Sequence, residues 1–253
     1  MTHLASHGFV VVAPDHTGNT VWDGLAGRLN FETSLAAFPQ RLGDMPFVGD
    51  AIVETTGPLA GLADPERWAV MGHSFGGSIA LALTEPRRGI EPDPRFRVAI
   101  PMTPGTGALP ILGFDILRSR VPVLFFAAQL DETISWESDQ LPGYERAPER
   151  GENFEFGPAE LGVGEVTRVA HCRKDLRAAE EDISDLLEDG CGPDFIDPAE
   201  MLDLQRWLAT SFLNGYLRDS PPAFSRLSPA ALPPNVAAAL EYRVEGVPTA
   251  EAL

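Results

Sequence analysis

The residues best suited to chemistry are a serine inside Gly72-His73-Ser74-Phe75-Gly76, an aspartate at position 131 and a histidine at position 171. A serine hydroxyl attacks a carbonyl carbon only when a base takes its proton. That base needs an acid to orient it and to stabilise its charged form. The pentapeptide lies between an apolar run, residues 67–71, and a small-residue segment, residues 77–83. This order predicts a strand, a tight turn and a helix, with Ser74 at the apex. Glycines on both sides remove Cβ atoms that would clash in such a turn. The helix directs its first N–H groups at the place where negative charge develops. The plain alternative is a structural turn.

Five histidines allow the base to be sought by elimination. His3 and His7 fall on the first helix. His73 adjoins the serine in the turn and points elsewhere. His16 ends the first strand and could line a pocket, but it precedes the serine. His171 alone follows both the last strand and a candidate acid; its alternative is a solvent-exposed loop histidine. Asp131 lies just past the most hydrophobic strand. Glu132 is its competitor, and Asp131 is favoured because it is nearer the strand end. The bland reading of both is a pair of solvated loop carboxylates.

The elements that must hold these groups follow from apolar patterning. Residues 3–7 read as a helix end stopped by Gly8. Residues 9–13 (FVVVA) read as a strand buried on both faces. Residues 25–42 are partly helical and 44–62 form a helix. Strands follow at 68–71, 98–101, 121–128 and 165–170. Residues 198–217 have apolar side chains near i, i+3, i+4 spacing and read as a closing amphipathic helix. Strands alternating with helices predict an α/β fold with a mostly parallel sheet. In such sheets function gathers at the C-terminal strand ends. Those ends carry Asp15-His16, Ser74, Thr103, Asp131 and His171.

A length of 253 residues, 44% of them hydrophobic, predicts one domain with one core. Residues 172–197 read as a lid-like insertion or a solvated loop, and 219–253 as a surface tail. A net charge of −18 argues against a nucleic-acid partner, which needs a basic face. Lys174 is the one lysine among 19 cationic residues. Such a surface fits a salty habitat or, preferably, a genome rich in Arg codons. Cys172 and Cys191 are free thiols or one disulfide, and sequence does not choose. No metal-ligand spacing is present. No apolar run reaches the roughly 20 residues of a membrane span, and no secretory leader is visible. As written the chain reads as cytoplasmic; an upstream leader would make it secreted.

The order Ser74, Asp131, His171 is that of α/β-hydrolases. Five stretches carry a closer resemblance: LASHGFVVVAPDHTGNT (residues 4–20), VMGHSFGGSIALAL (70–83), FRVAIPMTPG (96–105), VPVLFFAAQLDETI (121–134) and the segment around AHCRKDL (170–176). The chain resembles the dienelactone hydrolase-like and platelet-activating-factor acetylhydrolase-like branch, near the bacterial cutinase-type polyesterases. The serine motif is generic to the superfamily, whereas APDHTGNT is more specific to the branch. Around His171 this chain has Arg168-Val169-Ala170-His171 where the family usually shows Gly-x-Gly-His.

The resemblance implies cofactor-free hydrolysis of small-molecule or polymeric esters. His171 would activate Ser74, Asp131 would orient His171, and the Phe75 N–H would supply one oxyanion donor. His16, His73, Thr103 and Trp136 are pocket candidates, with Pro104 beside Thr103. Polyester-cleaving relatives often carry an aromatic residue where Gly105 falls, which argues mildly against aromatic polyester stacking here.

The family's second oxyanion donor comes from a His-Gly-rich loop before the first helix. This chain begins within that helix, so the expected fold is an α/β-hydrolase lacking its N-terminal strands. A truncated gene product explains this most simply. A partner chain, such as a second copy in a homo-oligomer, could fill the gap, or the flanking strands could close up. The sequence also admits a catalytically impaired scaffold, or a thioesterase, lactonase or polyester hydrolase on the same fold.

Overall fold

The computed structural model describes residues 1–20, 22–23, 26–28, 31–57, 60–86, 91–107, 109–110, 112–114, 121–129, 131, 133–146, 151–156, 197–234 and 240–245. The chain divides into two compact units, Met1–Trp68 and Ala69–Leu253.

Among the described residues the first unit holds the helices α1 (Thr2–Ser6) and α2 (Phe31–Val53). Gly8, with φ +80°, follows α1 in the left-handed conformation expected of a helix stop. Residues 31–53 form one helix, where two helical segments were expected to meet near residue 43. It runs through Pro39 and Pro46, each of which removes one i→i−4 donor. Trp68 lies directly over Gly49 of this helix; a Cβ there would come within 2.1 Å of the indole. Arg41 donates to the Asn19 carbonyl at 3.0 Å, tying α2 to the preceding loop.

The run at 9–13 forms no strand. Its backbone is irregular, and Val10 and Val12 are exposed. Strand propensity acts through packing and pairing. Among the described residues no strand is paired with this run.

Among the described residues the sheet has five strands in spatial order β1 (Trp68–His73), β2 (Phe96–Met102), β3 (Leu124–Ala128), β4 (Gly151–Phe156) and β5 (Leu240–Glu245). β2, β3 and β4 are parallel, and β5 runs antiparallel to β4. Every residue of β3 is buried, as its unbroken apolar sequence predicts. The β2–β3 ladder is interrupted at one point with a covalent cause. Ala99 N–H donates to Pro122 at 3.1 Å and Thr103 N–H to Phe126 at 2.8 Å. The alternate position between them is Pro101, which has no N–H for Leu124.

Among the described residues the helices α3 (Phe75–Thr84), α4 (Leu141–Arg146) and α5 (Pro198–Leu217) cover or extend this sheet. A short helix, α6 (Pro221–Phe224), follows. α3 is buried from Gly77 to Thr84 and packs on β2; its small residues permit close approach. α5 matches the expected helix residue for residue. It buries Met201, Leu204, Leu208 and Phe212, and it also packs on β2. Its N-terminus is capped by Asp197, whose Oδ1 accepts from Ala199 N–H at 2.8 Å and Glu200 N–H at 3.3 Å.

β4 and β5 were not read from the sequence, and β5 arises in the expected surface tail. The strand expected at 165–170, both cysteines and residues 172–196 lie outside the described residues. Among the described residues no helix is long and apolar enough to cross a membrane.

Replacing Asp197 with Ala leaves two first-turn N–H groups of α5 without their acceptor. Urea denaturation should show a loss of about 1 kcal/mol, with the transition still cooperative.

Candidate active site

Ser74 stands at the joint between β1 and α3 with φ +52° and ψ −120°. Few non-glycine residues adopt a positive φ, and holding one there costs about 1–3 kcal/mol. The joint is clamped on both sides. Ser74 N–H donates to the Met102 carbonyl of β2 at 2.9 Å. The Ser74 carbonyl accepts from Gly77 N–H at 2.9 Å and Ser78 N–H at 3.2 Å, which starts the helix.

The glycines divide the steric work differently from the expectation that both flanking ones are required. A Cβ on Gly72 would lie 2.3 Å from the backbone of Gly76. A Cβ on Gly76 would meet nothing within 4 Å. A Cβ on Gly77 would press the Met102 carbonyl at 3.0 Å and Pro104 at 3.1 Å. The turn therefore needs Gly72 bare, and the packing of helix on strand favours Gly77 bare.

The C-terminal strand ends lie at one edge. The Ser74–Met102 bond joins the ends of β1 and β2, and the Thr103–Phe126 bond joins those of β2 and β3. Thr103 itself has φ +40° and is fully buried. Its Oγ1 has no hydrogen-bond partner among the described residues. Ser78 Oγ donates to the Gly105 carbonyl at 2.7 Å, fixing the loop after Thr103 to α3.

Asp131 lies three residues beyond β3 and is buried. Its Oδ1 accepts from the backbone N–H groups of Thr133, at 3.0 Å, and Ile134, at 2.7 Å. Its Oδ2 accepts from Gln140 Nε2 at 3.2 Å. These donors hold the carboxylate in one orientation. Gln140 was missed by sequence reasoning: within Ser138-Asp139-Gln140-Leu141 nothing distinguishes a buried amide from an exposed one. It ends the π-helical turn Trp136–Gln140 and is fully buried.

His73 lies in β1 beside Ser74, and its Nε2 is buried with no hydrogen-bond partner among the described residues. Burial pushes its pKa down to about 4, so the ring is neutral at pH 7. Trp136 is half-buried, 6.1 Å from the Tyr144 ring, which in turn meets Phe125 edge-on at 5.9 Å. His16 belongs to the first unit, where its Nδ1 lies 2.6 Å from Asp44 Oδ2. Phe75 is the first residue of α3. His171 and Glu132 lie outside the described residues.

A family model described as "PETase: PET hydrolase-like" matches residues 1–156, more than half of the chain. The chain belongs to the PET hydrolase-like family. The match includes the Ser74 joint and Asp131. Cutinase est1 of Thermobifida alba is 33% identical over 147 residues, covering 57% of this chain and 40% of that protein. Cutinase 2 of Thermobifida cellulosilytica is 32% identical over the same length, which covers 46% of it. Cutinase cut1 of Thermobifida fusca is also 32% identical, with 38% of it covered. The chain thus spans less than half the length of these curated relatives. This membership supports esterase chemistry in general terms and a place within the α/β-hydrolases.

Two predictions follow from the joint. Gly72→Ala should destabilise the chain by about 3 kcal/mol or more, because backbone must move. Gly76→Ala should be neutral or stabilising by up to about 1 kcal/mol, since alanine favours the helix. Thermal unfolding of both variants separates them; equal losses would contradict this steric assignment.

His73 has a folded pKa below its unfolded value of 6.5. The unfolded chain therefore takes up the proton first as pH falls. Stability present above pH 6.5 should drain away as pH falls toward about 4, by roughly 3 kcal/mol from this group. Urea midpoints at pH 7.5 and 4 should show a smaller acid loss in His73→Asn than in the parent.

Proposed function

We propose that the chain is a serine carboxylic-ester hydrolase, acting on short- or medium-chain esters through an acyl-enzyme. The observation that carries this reading is the strained Ser74 joint. A positive φ is maintained there by a bare Gly72, a bond to β2 and a buried helix. A structural turn has no need of a serine in that conformation, whereas a nucleophile must stand clear of its own strand.

In this reading His171 takes the Ser74 proton as Oγ attacks the ester carbonyl. The oxyanion is met by the Phe75 N–H at the start of α3, where the helix dipole also favours negative charge. Collapse breaks the ester C–O bond, and His171 returns the proton to the departing alcohol. Water, activated by the same histidine, then releases the acid. Asp131, oriented by the Thr133 and Ile134 N–H groups and by Gln140 among its partners, fixes the histidine tautomer and stabilises its charged form. A second reading, cleavage of polyesters, is favoured by the family's description and by the cutinase names of the relatives.

The test is hydrolysis of a p-nitrophenyl ester chain-length series by the full chain and by Ser74→Ala. The parent should turn over short acyl chains, and Ser74→Ala should lose at least about 10⁴-fold in kcat. Asp131→Asn should lose about 10⁴-fold with a smaller change in KM. A folded parent with no turnover beyond Ser74→Ala would favour a scaffold that has lost the reaction.

A further inference from the structure

We propose that Gln140 is a positioning residue for Asp131, acting through it on the reacting histidine; this role rests on the esterase reading above. The need for such a residue arises where β2 stops. Thr103 donates to Phe126, so the next residue of β3 facing the same side is Ala128. A continuing β2 would supply both partners for Ala128. Instead Thr103, with φ +40°, turns the chain away.

Gln140 takes the vacated place. Its Oε1 accepts from Ala128 N–H at 2.8 Å, and its Nε2 donates to the Ala128 carbonyl at 3.2 Å. One side-chain amide thus imitates a peptide group of the missing strand. The same Nε2 donates to the Ile134 carbonyl at 2.7 Å and to Asp131 Oδ2 at 3.2 Å. Two N–H hydrogens serve three acceptors, so at least one is shared. The partners also fix which end of the amide is which, since one is a donor and three are acceptors.

The consequence is a rigid link from the last residue of β3 to the carboxylate. Asp131 sits on a loop, and loops place side chains less accurately than strands. Gln140 transfers the register of the strand to that loop. No other side chain has the required donors and acceptor at this length. Methionine fills the volume but strands Ala128 N–H. Glutamate accepts from Ala128 but sets a second carboxylate against Asp131.

A double-mutant cycle in the full chain tests this, with p-nitrophenyl butyrate as substrate. Thermal unfolding of each variant shows that it is folded. Gln140→Met should lower kcat about 10- to 100-fold and leave KM within about twofold. In the Asp131→Asn background the same change should cost nothing further, within about twofold, because its route to the reaction is already gone. Gln140→Glu should lose at least as much as Gln140→Met, and takes its place in the cycle should the methionine variant not fold. Losses that multiply across the cycle, or a Gln140→Met kcat within about twofold of the parent, would overturn the positioning role alone. A parent without Ser74-dependent turnover, or one indifferent to Asp131→Asn, would overturn the esterase reading and the positioning role with it.

Discussion

The candidate site depends on how three neighbouring strands end. Each hands its last backbone bond to something that then turns away. Ser74 N–H is held by Met102, Thr103 N–H by Phe126, and Ala128 N–H by the side chain of Gln140. A parallel ladder is evenly spaced, so a bond at one strand end fixes the height of the next. The nucleophile candidate and the carboxylate candidate are thereby referred to the same sheet edge, although 57 positions separate Ser74 from Asp131 in sequence. Weakening any one of these bonds would move one group relative to the other.

Strain is concentrated at the same edge. Ser74 and Thr103 are both non-glycine residues at positive φ, and the Ser74–Met102 bond sets them side by side in the structure. Each costs about 1–3 kcal/mol, more for a β-branched residue. What offsets this is the burial around them. α3 is buried along eight consecutive residues, β3 along all five, and α5 adds a further apolar face. An element as buried as α3 cannot shift to relax the joint without opening the core. The strain is tolerated because the surrounding packing leaves the chain no cheaper path.

Much of this was legible in residues whose pattern has one meaning. The run before Ser74 and the small residues after it encode strand, turn and helix, and both elements form. The spacing of residues 198–217 encodes α5 to the residue, because Asp197-Pro198 marks its start chemically as well as periodically. The run at 9–13 shows the limit. Its β-branched composition describes a surface that would fit a sheet, but pairing is a property of two strands, and a sequence pattern names only one. β4 and β5 fail for the opposite reason. Gly-Glu-Asn-Phe-Glu-Phe and Leu-Glu-Tyr-Arg-Val-Glu mix charge with apolar residues, and their strand character comes from pairing in register with each other and, for β4, with β3.

Gln140 shows why the parts of a site that hold rather than react are hardest to read. A nucleophile needs a strained turn, and strained turns need glycine, so the chemistry leaves a mark on neighbouring residues. A positioning amide needs only its own four bonds. Its partners are backbone groups of Ala128 and Ile134 and one carboxylate, and backbone groups exist at every position. What makes the amide necessary is an event elsewhere: β2 turns away one residue too early to serve Ala128. That turn is set by Thr103, whose positive φ no propensity scale would assign to a β-branched residue. The identity required at position 140 is thus decided some 37 residues earlier, by where a neighbouring strand stops.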